Sequence, residues 1–388
     1  MNPQEEKKLF ELLDNIPVEI SSLASETFGS RFRAYSGAHK LPDVADRVGL
    51  LSEILGKVGM WKKIALHLPH DARTDEEAAT LAELLGKNGL VPGSVFVEFP
   101  QAGGSGASES DSPGSFTSPL AEVRDAAFRS LEEALERMRI LGAKRMVLWL
   151  PDGWDTLAQV SFFEISLRLE EYLMRFYAKM MHDETLLLKC GAPGPPRYLS
   201  AISSAGQARD LCTKLGLNAK VLLNAPAITE SCSLEQEIAF LLRSDAFGGI
   251  HFTGQAAPRQ GAGSPFDPWG TFRAALILLE AQHLNYAPLE SLSFVFDRYT
   301  DSASPLAEIS TMTDTLTDAF LRAAQVDLFD LAQARSRPWI GDADKIVLGA
   351  FSADLGDIKD KYRQARTQDA GPGPAPPPEP SPGPQNDS

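Results

Sequence analysis

Eight short β-rich runs, each separated from the next by a helical pattern, constrain this chain more than any other feature. In order they are VEISS (from Val18), IALHLP (from Ile64), SVFVEFP (from Ser94), RMVLWLP (from Arg145), TLLLKC (from Thr185), KVLLNA (from Lys220), GGIHFTG (from Gly248) and LSFVFDR (from Leu292). Alternating β and α segments predict parallel strands joined by right-handed crossovers. Eight such units over roughly 280 residues suit a closed (β/α)8 TIM barrel, a fold of about 250 residues. The alternative is a doubly wound sheet, which should carry a Gly-rich phosphate turn after an early strand. No such turn is present: GKVG from Gly56 precedes a strand rather than following one.

The intervening segments carry helix signals. In EEAATLAELLGKNG, Ala78, Leu81, Ala82 and Leu85 share one face, and Gly89 marks the end. The run VRDAAFRSLEEALERMRILGAK keeps apolar residues at helical spacing as far as Gly142. SLEQEIAFLLRS places Ser233 three residues before Gln236, the spacing of a capping box, with Glu235 and Glu237 in the first turn. TFRAALILLEAQ precedes the last strand, and DTLTDAFLRAAQVDLFDLAQARS (from Asp314) follows it. The expected organisation is an N-terminal helical segment over 1–17, a barrel over 18–301 with a Gly/Ser-rich disordered insertion at about 101–115, C-terminal helices over 302–366, and a disordered Pro/Gly-rich tail over 367–388.

The net charge of −15 and pI near 4.9 disfavour nucleic acid, which needs a cationic face. Cys190, Cys212 and Cys232 form no C-x-x-C pair, so neither a disulfide framework nor a zinc knuckle is expected, and the three read as inert buried thiols. The charged N-terminus lacks the apolar core of a signal peptide, and no run is long and apolar enough to span a bilayer. These features predict a cytoplasmic protein with no membrane partner.

In a TIM barrel, chemistry sits at the C-terminal ends of the strands. The sequence therefore nominates His67 and His70 after strand 2, Glu98 after strand 3, Trp149 and Asp152 after strand 4, and Lys189 and Cys190 at the end of strand 5. It adds Asn224 on strand 6, His251 on strand 7, and Asp297 with Arg298 after strand 8. Each has a plainer reading. His67 could be a satisfied core histidine, and His251 and Asp297, from neighbouring strands, could simply pair. Trp149 could fill the barrel, Glu98 could pair with a base, and Asp152 could only form a turn.

Those residues carry a resemblance to bacterial L-rhamnose isomerase, of the xylose-isomerase-like barrels. FGSRF (Phe28 to Phe32), ALHLPHD (Ala65 to Asp71), LWLPDG (Leu148 to Gly153), GGIHF (Gly248 to Phe252), FDPW (Phe266 to Trp269) and FVFD (Phe294 to Asp297) follow in that family's order, from about Val18 to Asp301. The resemblance implies a hydride shift between C1 and C2 of an open-chain sugar, with two divalent cations polarising its oxygens. It also implies that His67 and Trp149 contact the sugar.

Hard cations need several carboxylate oxygens, with histidine as a secondary ligand. Here the family's strand-5 glutamate falls on Leu188, its strand-6 aspartate on Asn224, and the histidine three residues later on Ala227. The aspartate pair after strand 7 falls on Arg259 and Gly261, leaving only His251 and Asp297 in ligand positions. The family's lysine falls on Cys190, and alternation along a strand would then turn Lys189 toward the helices.

The expected function is a pseudo-isomerase or sugar-binding protein that has lost its two-metal site and takes no cofactor. One alternative is an active metal-dependent aldose–ketose isomerase holding a weakly bound Mn, Mg, Co or Zn ion. Another is metal-free proton transfer through an enediol with His67 or His251 as base. A small sugar is the expected partner, and the family's tetramers make a homo-oligomer an expectation.

Overall fold

The computed structural model describes residues 3–25, 43–59, 62–99, 114–150, 152–154, 156–190, 199–225, 228, 232–252, 267–286, 289–297 and 305–369. The FGSRF loop, Ala227, Arg259, Gly261, Arg298, nearly all of the expected insertion and the tail beyond Asp369 lie outside them.

Each β-rich run forms a strand: β1 (Val18–Ser21), β2 (Lys63–Leu68), β3 (Val91–Val97), β4 (Arg145–Leu148), β5 (Thr185–Cys190), β6 (Ala219–Asn224), β7 (Phe247–Phe252) and β8 (Ser293–Phe296). They close into a parallel barrel in chain order, with β1 paired to β8 at Val18↔Phe294 and Ile20↔Phe296. The TIM barrel expected from the sequence is therefore the fold. Outside it, Gly153–Trp154 pairs antiparallel with Leu199–Ser200.

Helices α1 (Pro3–Asn15) through α7 alternate with these strands: α2 (Val44–Val58), α3 (Asp75–Lys87), α4 (Ala121–Ile140), α5 (Phe162–Tyr177), α6 (Ala205–Leu215) and α7 (Leu234–Arg243). Their starts follow the sequence signals. Thr74, Ser161, Ser204 and Ser233 each accept a hydrogen bond from the backbone N–H three residues on, satisfying a donor that the first turn leaves free. After α8 (Pro268–His283) and β8 come α9 (Pro305–Ala323), α10 (Leu328–Arg335), α11 (Ile340–Phe351) and α12 (Gly356–Asp369). The helical run expected from Asp314 is thus two helices, because Asp327 caps α10 by accepting from the N–H groups of Phe329 and Asp330.

Alternation along the strands divides the core. Leu66, Val95, Met146, Leu188, Val221 and Ile250 belong to the large apolar cluster that includes the helices, whereas Ala65, Phe96, Val147, Leu187, Leu222 and Val295 form a separate cluster inside the barrel. The interior is filled, as TIM barrels require. At its N-terminal end the filling is polar. Glu19 is fully buried and accepts from Ser94 N–H at 2.6 Å and from Ser293 Oγ at 3.0 Å, with Arg145 3.6 Å away. Beside this plug Gly249 adopts φ 141°, and a Cβ there would lie 1.9 Å from the Ser293 carbonyl oxygen. Only glycine fits that approach. The floor is sealed by ion pairing and close packing, which leaves the C-terminal mouth for ligands. Among the described residues, no helix is long and apolar enough to cross a membrane.

Candidate active site at the barrel mouth

Strand ends place a ring of polar and aromatic side chains at the mouth. His67, on β2, sits opposite Phe96 of β3 in register, and their rings stack with centroids 4.8 Å apart. The His67 imidazole bridges two strand ends: Nε2 lies 3.0 Å from Ser21 Oγ on β1, and Nδ1 lies 3.2 Å from Glu98 Oε1, just past β3. Burial works against a charged His67. The Glu98 hydrogen bond, with the negative charges of Asp297, Glu98 and Asp71, overrides it and raises the imidazole pKa. Glu98 responds in the opposite direction: His67 holds its carboxyl below the usual range in spite of burial.

A buried acid fixes the backbone beneath this bridge. Asp71 accepts from His67 N–H at 2.7 Å, from Ser22 Oγ at 2.6 Å and from Arg47 Nη2 at 2.7 Å, joining the β2 end to the turn after β1 and to α2. Arg47 also lies 3.0 Å from His70 Nε2. His70 therefore belongs to this outer support. Ser21, Ser22 and Arg47 were not nominated by the sequence. The parity of β1, with Glu19 and Ser21 both inward, is the one signal in the sequence that could have found Ser21.

Across the mouth, Asn224 and His251 are register partners on β6 and β7. Asp297, held by its N–H to the Phe252 carbonyl, brings Oδ2 to 2.9 Å from His251 Nε2. Burial, reinforced by the Lys189 cation, pushes the His251 pKa down to about 4. Burial opposes the charge on Asp297, but His251, His67 and Lys189 together hold its carboxyl well below the usual range. A neutral His251 donating through Nε2 to a carboxylate is the consistent state. His251 Nδ1 and Asp297 Oδ1 are buried with no hydrogen-bond partner among the described residues.

Strand β5 corrects the expected orientation of Lys189. Leu188 and Cys190 pack outward among the helices, while Leu187 lies in the barrel interior. Lys189, on the parity of Leu187, points into the mouth, with Nζ 5.7 Å from the Trp149 ring centroid and 5.9 Å from that of Phe96. It does not face the helices. Leu188, which the resemblance sets against the family's strand-5 glutamate, faces the helices and does not reach the mouth. The inward residues at this end of the strand are Leu187 and Lys189, and neither is a carboxylate. Burial lowers the Lys189 pKa to about 8 against the pull of Asp297, Cys190 and Glu98. Cys190 is an outward, buried thiol whose pKa burial pushes up to about 12, in keeping with an inert cysteine, whereas Cys232 is exposed and not the buried thiol expected.

Asp152 stays out of the mouth chemistry. It is buried and accepts from Ser115 Oγ at 2.6 Å, from Thr117 N–H at 3.2 Å and from the Thr117 hydroxyl, so it anchors the segment entering α4. It is more than a turn former.

The resemblance implies two divalent cations, and the described residues do not fit them. No three His, Cys, Asp or Glu side chains among those residues are grouped to hold a metal ion. His251 and Asp297 bond to each other beside a lysine. The run 253–266, TGQAAPRQGAGSPF, contains no carboxylate, histidine or cysteine.

No known family model matches the chain. A protein of Mesorhizobium japonicum named as a probable sugar isomerase is 23% identical over 318 residues, covering 81% of this chain and 72% of that protein. A second probable sugar isomerase, from Rhizobium meliloti, is 21% identical over 346 residues, covering 88% and 79%. Among solved structures, a D-psicose 3-epimerase in the presence of D-fructose superposes with TM-score 0.51 at 14% identity, over 82% of this chain and 98% of its own. A 3-keto-D-glucoside 4-epimerase of E. coli gives 0.51 at 13% identity, over 78% and 98%. A family 2 AP endonuclease of Brucella melitensis gives 0.51 at 15% identity, over 76% and 96%. At such identities these likenesses establish the fold.

Proposed function

We propose that this chain is a sugar-binding barrel of the L-rhamnose-isomerase type that works without the family's pair of divalent cations. One observation carries the reading: the two surviving ligand positions, His251 and Asp297, are 2.9 Å apart and hydrogen-bonded to each other, beside a lysine amine. A cation entering there would have to break that bond and approach an ammonium, at a site where no third His, Cys, Asp or Glu is grouped with the pair among the described residues.

What the mouth does offer suits a polyol. Partly exposed Trp149 presents an aromatic surface for an apolar sugar face, and Glu98, half exposed, presents a carboxylate for hydroxyls. Behind these lie His251 Nδ1 and Asp297 Oδ1, buried and without a hydrogen-bond partner among the described residues. L-Rhamnose and its ketose are the first ligands to test, on the strength of the resemblance.

The names of the two bacterial relatives, probable sugar isomerases, favour a second reading as an active isomerase, which the resemblance would make a metal-dependent aldose–ketose one. One pair of measurements separates the two. Metal analysis of purified protein, followed by incubation with L-rhamnose plus Mn, Mg, Co or Zn, is expected to give substoichiometric metal and no ketose. Sugar-dependent thermal stabilisation should nonetheless persist in chelator. Stoichiometric, tightly held metal with aldose–ketose conversion would establish the second reading instead.

A further inference from the structure

We propose that Lys189 is a covalent carbonyl-capturing residue, whose amine condenses with the aldehyde or ketone carbon of an open-chain hydroxycarbonyl to form an imine. The inference rests on the reading that the mouth receives an open-chain sugar, and it adds a bond that polarisation of sugar oxygens by cations does not involve.

The geometry supports it in three ways. First, Lys189 is the inward residue at the C-terminal end of β5, and it is partly exposed, so a ligand in the mouth can reach it. Second, its surroundings leave the amine available. Lys57, Lys144, Lys179, Lys214 and Lys359 each lie within 2.9 Å of a carboxylate. Lys189 instead rests against the rings of Trp149 and Phe96, and no described carboxylate lies within ion-pair distance of its Nζ. A lysine desolvated by apolar walls is the usual way a protein makes an amine nucleophilic, and its lowered pKa agrees. Third, proton-handling groups share the mouth: the His67–Glu98 pair on one side and Asp297, whose Oδ1 has no hydrogen-bond partner among the described residues, on the other.

The step balances without any oxidant or reductant. The Nζ lone pair forms the N–C bond while the carbonyl oxygen takes up a proton, giving a carbinolamine. Nζ then gives up its protons, the C–O bond breaks and the oxygen departs as water. Amine plus carbonyl becomes imine plus water.

Borohydride trapping reads this directly. The full chain is incubated with glycolaldehyde, a two-carbon hydroxyaldehyde small enough to enter whatever the sugar preference, and separately with L-rhamnose, each with cyanoborohydride. Adducts are then located by peptide mass spectrometry. Reductive labelling of Lys189 is expected to exceed that of any surface lysine by about tenfold or more, as an activated amine requires. Lys189→Arg keeps the positive charge but cannot form the imine, and Lys189→Met keeps the apolar stem. Both should abolish the selective adduct while circular dichroism stays unchanged. Labelling spread over surface lysines with no enrichment at Lys189 would overturn the proposal, as would selective labelling elsewhere that survives in Lys189→Arg. Sugar-dependent thermal stabilisation without trapping at Lys189 removes the covalent step and leaves sugar binding standing. Selective glycolaldehyde capture with no response to any sugar does the reverse.

Discussion

The mouth is governed by which side chains share a hydrogen bond. His67 and Glu98 shift one another's pKa in opposite directions, upward for the imidazole and downward for the carboxyl. The raised imidazole contributes stability in full below its ordinary value of 6.5 and loses it as pH rises through the folded pKa. The lowered carboxyl contributes above its ordinary 4.5 and loses it as pH falls through its folded pKa. The pair therefore stabilises the fold between those limits. Glu98 is 51% exposed, so solvent screening keeps the contribution small. The clearer readout is the imidazole itself. Glu98→Gln should lower the His67 pKa in an NMR titration, because the imidazole loses its hydrogen bond to an anionic acceptor. A His67 curve that does not move would show that the bridge contributes nothing in solution. Sequence reasoning placed both residues at strand ends and left their pairing open, since a hydrogen bond between residues 31 positions apart depends on register.

At the scale of elements, the sequence resolved the strand positions and the start of α7 because both depend on local chemistry: β-rich runs, and Ser233 followed by an acidic first turn. The tie that holds the β2 end to α2 was not legible. Asp71 and Arg47 are 24 residues apart and both buried, with side-chain exposures of 0% and 7%. Replacing Arg47 with Met would leave the Asp71 carboxylate buried beside His67 N–H and Ser22 Oγ without its cation. A loss of roughly 3–5 kcal/mol in denaturant unfolding is expected, as for other buried pairs broken on one side. The double variant Arg47→Met with Asp71→Asn should recover part of it, since no charge remains stranded. Equal losses in the single and double variants would show that packing, not charge, dominates there.

At the scale of the whole molecule, the last helix closes the chain against the first. Tyr362 on α12 is buried, donates to Asp14 at 2.8 Å and lies 5.2 Å from the Phe10 ring on α1. Lys361 and Arg366 add ion pairs to Glu6 and Asp14. Tyr362→Ala removes a buried aromatic ring and should cost about 3–5 kcal/mol, lowering Tm. Tyr362→Phe removes only the hydrogen bond and should cost about 1 kcal/mol. If the Ala variant unfolds at the same temperature as the wild type, α12 is not part of the cooperative unit.

The sequence by itself determined that eight strands alternate with helices, and hence the parallel barrel, because periodicity and capping are local. Tertiary structure alone decided which way β5 faces. A parallel barrel strand is buried on both sides, so TLLLKC reads as a continuous apolar run with no polar alternation to mark its inner face. Only closure of the barrel, by pairing Leu187 with Val147 and Lys220, fixes the register that turns Lys189 inward and Leu188 out.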